Sequence, residues 1–135
     1  MKYKGALFDL DNTMYPYELN HKRGLKAVYS ELKNLIDDYD YDLFLNDLSI
    51  SKTKIKELTK NQAASHNRLL YFQHILESKD LWNPQQAMKL YNLYWDSFLQ
   101  EIKLYEDFYS FITKTPIPIV IITDLTAHIQ YRKIE

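Results

Sequence analysis

Two short apolar segments near opposite ends of the chain place the strongest constraint on its fold. Residues 3–8 end in Ala-Leu-Phe, and residues 117–122 read Ile-Pro-Ile-Val-Ile-Ile without any polar alternation. Continuous apolar runs of this kind are typical of parallel strands that are covered on both faces. Pro116 and Pro118 suit the entrance of such a strand, where a missing N–H is tolerated. The two segments therefore predict buried parallel strands and an α/β fold class.

Nearly all of the sequence between the two segments predicts helix. Apolar residues recur there at three- and four-residue spacing, which marks the buried face of an amphipathic helix. Asn83-Pro84 predicts a helix start, since proline is favoured at the first helical position. The predicted helices lie near residues 25–36, 42–48, 52–62, 69–76, 84–102 and 105–114. This order predicts a strand-helix-strand unit with a helical domain inserted after the first strand.

Polar side chains follow each predicted strand directly. Asp9 and Asp11 come after the first strand, two residues apart, and Thr123 and Asp124 come after the second. Open α/β sheets usually bind ligands at the carboxyl ends of their strands. Two neighbouring carboxylates repel each other unless a cation or a shared proton intervenes. The pair Asp9 and Asp11 therefore predicts a Mg²⁺ site, an acid/base couple or both.

The hexapeptide Phe-Asp-Leu-Asp-Asn-Thr at residues 8–13 resembles the first motif of the haloacid dehalogenase (HAD) superfamily, whose members are mostly Mg²⁺-dependent phosphatases. The resemblance implies a Rossmann-like core, here incomplete with two parallel strands, and an inserted α-helical cap. It implies that Asp9 attacks phosphorus to form an aspartyl-phosphate, while Asp11 protonates the leaving group and then activates water. Mg²⁺ would be held by the Asp9 carboxylate and the Asp11 backbone carbonyl.

The resemblance extends to a second motif at the end of the second strand. Thr123 matches the family's hydroxyl that binds the transferring phosphoryl group. Asp124 stands where many relatives have Asn, and two interpretations stay open for it, a phosphate-binding position and an N-cap of a helix that begins near Thr126. In the cap, His66 and Arg68 are candidate substrate contacts, because arginine binds planar anions. The alternative for both residues is that they are solvent-exposed side chains at the start of a helix and contact no substrate.

Two further residues near the motifs are predicted to have structural roles. Tyr15 is expected to pack at the hinge into the cap. Lys133 lies too close to Thr123 to match the family's third motif, a lysine, and is predicted to lie on a helix surface.

The match defines the expected organisation of the chain. We expect the core strand and first motif at residues 1–14, the helical cap at 15–100, and the core helix, second strand and second motif at 101–135. The family's lysine motif and its last acidic motif are not found within the 135 residues. The sequence therefore predicts the N-terminal half of the family pattern and a truncated chain.

The predicted function is that of a Mg²⁺-dependent phosphohydrolase acting on a small phosphorylated metabolite, either a sugar phosphate or a nucleotide. Asp11 favours phosphoryl chemistry over dehalogenation, because halide needs no protonation. Two alternatives stay open. One is a non-catalytic remnant or interaction module that needs a second chain to supply the missing core, and the other is a phosphoryl mutase.

Composition excludes several other classes. The net charge of −1 gives no overall attraction to nucleic acid or to an anionic membrane. Cysteine is absent, which excludes disulfides, thiolate metal sites and thiol catalysis. No apolar run approaches the roughly 20 residues that a membrane span needs. The sequence thus predicts a cytoplasmic protein without nucleic-acid or membrane partners.

Overall fold

A two-stranded parallel sheet joins the two ends of the chain in the computed structural model, which describes residues 2–60 and 62–135. Strand β1 (Ala6–Phe8) pairs with strand β2 (Ile119–Ile121), with Ala6 opposite Ile119 and Phe8 opposite Ile121. The predicted α/β class and the parallel pairing are confirmed, and each strand is shorter than its predicted segment. The prediction that both strands are buried is wrong, because Leu7 and Val120 are exposed on one face of the sheet.

Helices fill most of the chain between the strands, and one more follows β2. They are α1 (Tyr17–Leu32), α2 (Tyr41–Thr59), a short 3-10 helix (Ala63–His66), α3 (Arg68–Ser78), α4 (Pro84–Leu99), α5 (Glu106–Lys114) and α6 (Ala127–Ile134). Pro84 is the first residue of α4, as predicted, and the Asn83 side chain caps that helix by accepting from the Gln86 N–H at 2.7 Å. No helix in the described ranges is long and apolar enough to cross a membrane.

The prediction of two separate helices near 42–48 and 52–62 is wrong. α2 is continuous from Tyr41 to Thr59. The polar residues at the predicted break do not interrupt the helix, because none of them is glycine or proline. Ser51 is buried there, and its hydroxyl lies 2.9 Å from His74 Nδ1 of α3, which ties the middle of α2 to the neighbouring helix.

The main core lies among the helices. α1 packs against α4, α3 packs against α4, and α2 packs against α3. The apolar spacing correctly predicts a buried face on α4, since the following side chains of that helix are buried: Tyr91, Tyr94, Trp95 and Phe98. α5 covers β1 through edge-on aromatic contacts of Phe8 with Phe108 and Phe111, at centroid distances of 5.0 and 5.5 Å. These contacts fix the end of β1 from which the first motif continues.

Candidate active site

The parallel register brings the ends of the two strands together. Phe8 lies opposite Ile121, and the Ile122 N–H donates to the Phe8 carbonyl at 2.8 Å. Asp9 and Thr123 therefore leave the sheet side by side. Both line a cavity of about 330 Å³, whose full set of walls is Leu7, Phe8, Asp9, Ile122, Thr123 and Asp124.

The loop after β1 is closed by its own side chains. Asn12 has a left-handed backbone (φ 60°), which asparagine tolerates better than most residues. Its side-chain oxygen accepts from the Tyr17 N–H at 2.8 Å, at the start of α1. Asp9 is exposed, and its only side-chain hydrogen bond in the described part of the chain is a long one of 3.5 Å from the Thr13 hydroxyl. Asp9 thus keeps a free carboxylate oxygen toward the cavity.

Asp11 has a very different environment from Asp9. Lys133 Nζ lies 2.8 Å from both of its carboxylate oxygens, and the Tyr15 hydroxyl donates to one of them. The Lys133 side chain has an exposed fraction of 0%, and that of Asp11 is 24%. The carboxylate of Asp11 is therefore held by three hydrogen bonds, and Asp11 is not among the residues that line the cavity of Asp9.

The prediction that Lys133 lies on a helix surface is wrong. Ile129 and Lys133 are four residues apart on α6, and Gln130 and Lys133 are three apart, so all share one face. Ile129 and Gln130 are buried, and this face packs inward. Helical spacing from Ile129 is the signal that could have placed Lys133 inside.

Burial shapes the protonation of the groups around Asp11. Burial raises the pKa of Tyr15, and the hydrogen bond to Asp11 raises it further, so the phenol stays a proton donor. Burial lowers the pKa of Lys133, while Asp11 opposes that shift. Tyr15 is packed in the interior, with an exposed fraction of 1%, and its predicted position at a hinge stays a prediction. Its contact with Asp11 is an additional role that the sequence did not indicate.

The second motif is held by a residue that sequence reasoning missed. The Gln130 side-chain amide donates both to the Thr123 hydroxyl and to the Asp124 carbonyl. Gln130 is buried, and its own oxygen has no partner in the described ranges. Leu125, which follows Asp124 in the loop before α6, has φ 87°, a strained conformation for a residue other than glycine. The loop that presents Thr123 is thus fixed from the inner face of α6.

The interpretation of Asp124 as a helix cap is not supported. α6 begins at Ala127, and Thr126 rather than Asp124 occupies its N-cap position, without a side-chain cap. Asp124 instead lines the cavity beside Asp9.

The two candidate cap residues lie close to one another, near the first motif. Arg68 Nη2 donates to the Tyr17 hydroxyl at 2.8 Å, and Nη1 lies 3.4 Å from the His66 carbonyl. Partial burial lowers the pKa of His66, as do the charges of Lys56 and Arg68, whereas Asp124 opposes the shift.

The donor set of the cavity suits a hard cation. Asp9 and Asp124 contribute carboxylates, Thr123 contributes a hydroxyl, and no basic side chain lines this space. Mg²⁺ prefers oxygen ligands and is commonly bound through one or two carboxylates plus waters. In residues 2–60 and 62–135, no group of three or more His, Asp or Glu side chains is arranged to hold a metal. The chemistry of these donors therefore fits Mg²⁺ with few protein ligands.

No family model matches the chain, but it is similar to known proteins in sequence and in fold. Over 134 residues the chain is 35% identical to a ribulose-1,5-bisphosphate 5-phosphatase from Halopiger xanaduensis, an alignment that covers 96% of this chain and 56% of that protein. A magnesium-bound HAD-hydrolase from Bacillus subtilis, YfnB, has the same fold with a TM-score of 0.65 and 14% identity, over 99% of this chain and 59% of that one.

The chain thus spans somewhat more than half the length of the proteins it matches. The matches give no support to a second chain that supplies the rest of the core. The resemblance that the first motif predicts is confirmed, since the chain is similar in sequence to a protein named as a phosphatase and similar in fold to a HAD-hydrolase.

Proposed function

We propose that this chain carries the reacting residues of a Mg²⁺-dependent phosphohydrolase that acts on a small phosphorylated metabolite. The observation that carries the proposal is the meeting of Asp9 and Thr123 at adjacent strand ends, on the wall of one cavity of about 330 Å³. A relative named as a phosphatase of a sugar bisphosphate supports the same chemistry. It also favours a sugar phosphate over a nucleotide as the substrate class.

The proposed reaction has two displacements at phosphorus. A carboxylate oxygen of Asp9 attacks phosphorus, the bond to the ester oxygen breaks, and the leaving oxygen takes a proton from the Asp11 carboxyl. For this step Asp11 has to leave Lys133 and Tyr15 and take up a proton from water, because in the structure it is an ion-paired carboxylate. A water molecule then gives a proton to Asp11 and attacks phosphorus, which breaks the bond to Asp9 and releases inorganic phosphate. The Thr123 hydroxyl donates a hydrogen bond to the phosphoryl oxygens, and Asp124 completes that side of the phosphate site.

The proposed metal ligands are the Asp9 carboxylate and the Asp11 backbone carbonyl. When bound there, Mg²⁺ neutralises charge that develops on the phosphoryl oxygens. The open carboxylate of Asp9 and the neighbouring Asp124 make this end of the sheet negative, which favours the cation.

The proposal keeps the predicted division of the chain. Residues 1–14 and 101–135 would form the core, and residues 15–100 the cap that closes over the cavity and excludes water. The helices of residues 15–100 pack on one another, with α4 in contact with both α1 and α3, and their apolar cluster continues into Leu10, Met14 and Ile129 of the proposed core. A cytoplasmic location is part of the same proposal.

The test is release of phosphate from an aryl phosphate in the presence of Mg²⁺. We expect Asp9→Asn to lower the rate by a factor of at least roughly 10³, because loss of a nucleophile costs several orders of magnitude in other enzymes. Asp107→Asn is the matched control, since Asp107 is exposed on α5 and does not line the cavity. Its rate should equal that of the unmodified chain.

Equal rates for the unmodified chain and Asp9→Asn would contradict the proposal. That outcome would favour the non-catalytic interaction module. Its supporting observation is the apolar face of the sheet, where Leu7 and Val120 are 68% and 51% exposed. Such an apolar surface is typical of a site that another polypeptide covers.

A further inference from the structure

A second, smaller cavity lies among the helices, and basic side chains form much of its wall. It has a volume of about 50 Å³, room for a few water molecules or for one phosphate-sized group. The residues that line it come from α1, α2 and α3 and are His21, Leu48, Lys52, Arg68 and Tyr71. No carboxylate lines this cavity.

Arg68 has more hydrogen-bond donors than partners. Its Nη2 donates to the Tyr17 hydroxyl, and its guanidinium lies 5.3 Å from the centre of the Tyr71 ring. Its Nε is buried and has no partner in residues 2–60 and 62–135. None of the ion pairs in those residues includes Arg68. A buried guanidinium without a carboxylate is costly, and an anion that accepts from the free N–H would offset that cost.

The groups around Arg68 indicate a positive potential. Burial, and then the charges of Arg68 and Lys52, lower the pKa of His21 to about 4. Partial burial also lowers the pKa of Lys52, and the charges of Lys56 and Arg68 lower it further, whereas Glu18 opposes the shift. The repulsion among these cations would be relieved by a bound anion.

Tyr17 connects Arg68 to the loop of the first motif. The Tyr17 hydroxyl accepts from Arg68, and the Tyr17 N–H donates to the side chain of Asn12, which lies between Asp11 and Thr13. The guanidinium of Arg68 is therefore two hydrogen bonds away from that loop.

We propose that His21, Lys52 and Arg68 form a subsite for a second phosphate group of the substrate. This inference rests on the proposed phosphatase function and makes its substrate class narrower. The substrate would be a small metabolite with two phosphates, of which one reacts at Asp9 while the other binds Arg68 and Lys52. Arg68 would bind its phosphate through two N–H groups, and Lys52 would add a charge at the rim.

The test is a titration of the whole chain with inorganic phosphate, in which NMR signals of the His21 ring report binding. We expect saturable shifts and a rise in the pKa of His21 on binding, because an anion favours the imidazolium form. Arg68→Gln should weaken this binding at least about tenfold, and Lys52→Gln about threefold. The phosphate affinity of Arg68→Lys should lie between that of the unmodified chain and that of Arg68→Gln, since lysine keeps the charge but lacks the planar guanidinium. Arg23→Gln is the control, because Arg23 pairs with Glu101 and does not line the cavity.

Failure of this inference is distinguishable from failure of the proposed function. Asp9→Asn should leave the response of His21 to phosphate unchanged while it abolishes hydrolysis. A response at His21 without any hydrolysis by the unmodified chain would support the subsite and contradict the phosphatase. Hydrolysis without a response at His21 would overturn the subsite.

The variants also separate folding from binding. Lys52 is exposed, so Lys52→Gln should fold even where Arg68→Gln does not. Phosphate affinity equal to that of the unmodified chain in a folded Lys52→Gln or Arg68→Gln variant would overturn the inference.

Discussion

Two aspartates that are two residues apart are predicted to differ in what they contribute to stability. Asp9 is exposed with one long hydrogen bond, whereas Asp11 compensates the buried ammonium of Lys133. We expect Asp11→Asn to lower the free energy of unfolding by about 3 kcal/mol, since it leaves a buried charge without its partner. Asp9→Asn should change it by less than about 0.5 kcal/mol. Urea unfolding at neutral pH measures both.

The control for this prediction also removes the charge of Lys133. Lys133→Met in the Asp11→Asn background should recover most of the lost stability, because a buried ion pair is often replaceable by apolar packing. If Asp9→Asn and Asp11→Asn lower the free energy of unfolding equally, the buried pair between Lys133 and Asp11 is not what the structure describes.

For individual residues, the sequence predicted some positions and missed others for a physical reason. Asp9 and Thr123 follow apolar strands, and parallel strands bring their carboxyl ends to one edge, so their proximity follows from local pattern. The positions of Lys133 and Gln130 depend on which face of α6 turns inward. That choice is made by packing of the whole chain. Polarity alone pointed Lys133 outward, and nothing in the sequence singled out Gln130.

The contact between α1 and α4 should be intolerant of even one added methyl group. A Cβ at Gly24 of α1 would lie 2.8 Å from the Tyr94 backbone oxygen and 2.8 Å from Cδ2 of its ring. Gly24→Ala should therefore destabilise the protein by about 1–3 kcal/mol, as overpacking commonly does. This outweighs the gain in helix propensity of about 1 kcal/mol. Thermal or urea unfolding measures the difference.

A substitution on the exposed side of the same helix is the matched control. Lys26→Ala should leave the free energy of unfolding within about 0.5 kcal/mol, because Lys26 is exposed on α1. A stabilising effect of Gly24→Ala would mean that α1 and α4 do not approach as closely as described.

Elements with strong boundary signals were predictable, and those without them were not. Asn83-Pro84 marks the start of α4, and its aromatic spacing identifies the buried face. In α2 the polar run around Ser49 resembled a break, although its residues are all compatible with helix. The contact of Ser51 with His74, which joins distant parts of the chain, also holds the middle of this helix against α3.

For the molecule as a whole, the order of the segments predicted the fold class. It did not predict how much of the stability comes from the helices and how much from the sheet. The sequence predicts an α/β fold, and the likeness to YfnB confirms it. The largest fully buried side chains, however, come mostly from the helices and the first-motif loop. The sheet has two strands of three residues each. A sheet this small contributes little stability by itself.

Hydrogen exchange should therefore divide the chain into a stable helical part and a weakly protected sheet. The amides of Tyr94 in α4 and of Ile122 beside β2 are both hydrogen bonded, the latter to the Phe8 carbonyl at 2.8 Å. The Tyr94 side chain is fully buried, whereas Ile122 is 59% exposed. We expect Tyr94 to exchange only through global unfolding and Ile122 to exchange much faster through local opening. Equal protection of the two amides, measured by NMR at neutral pH, would show instead that sheet and helices unfold as one cooperative unit.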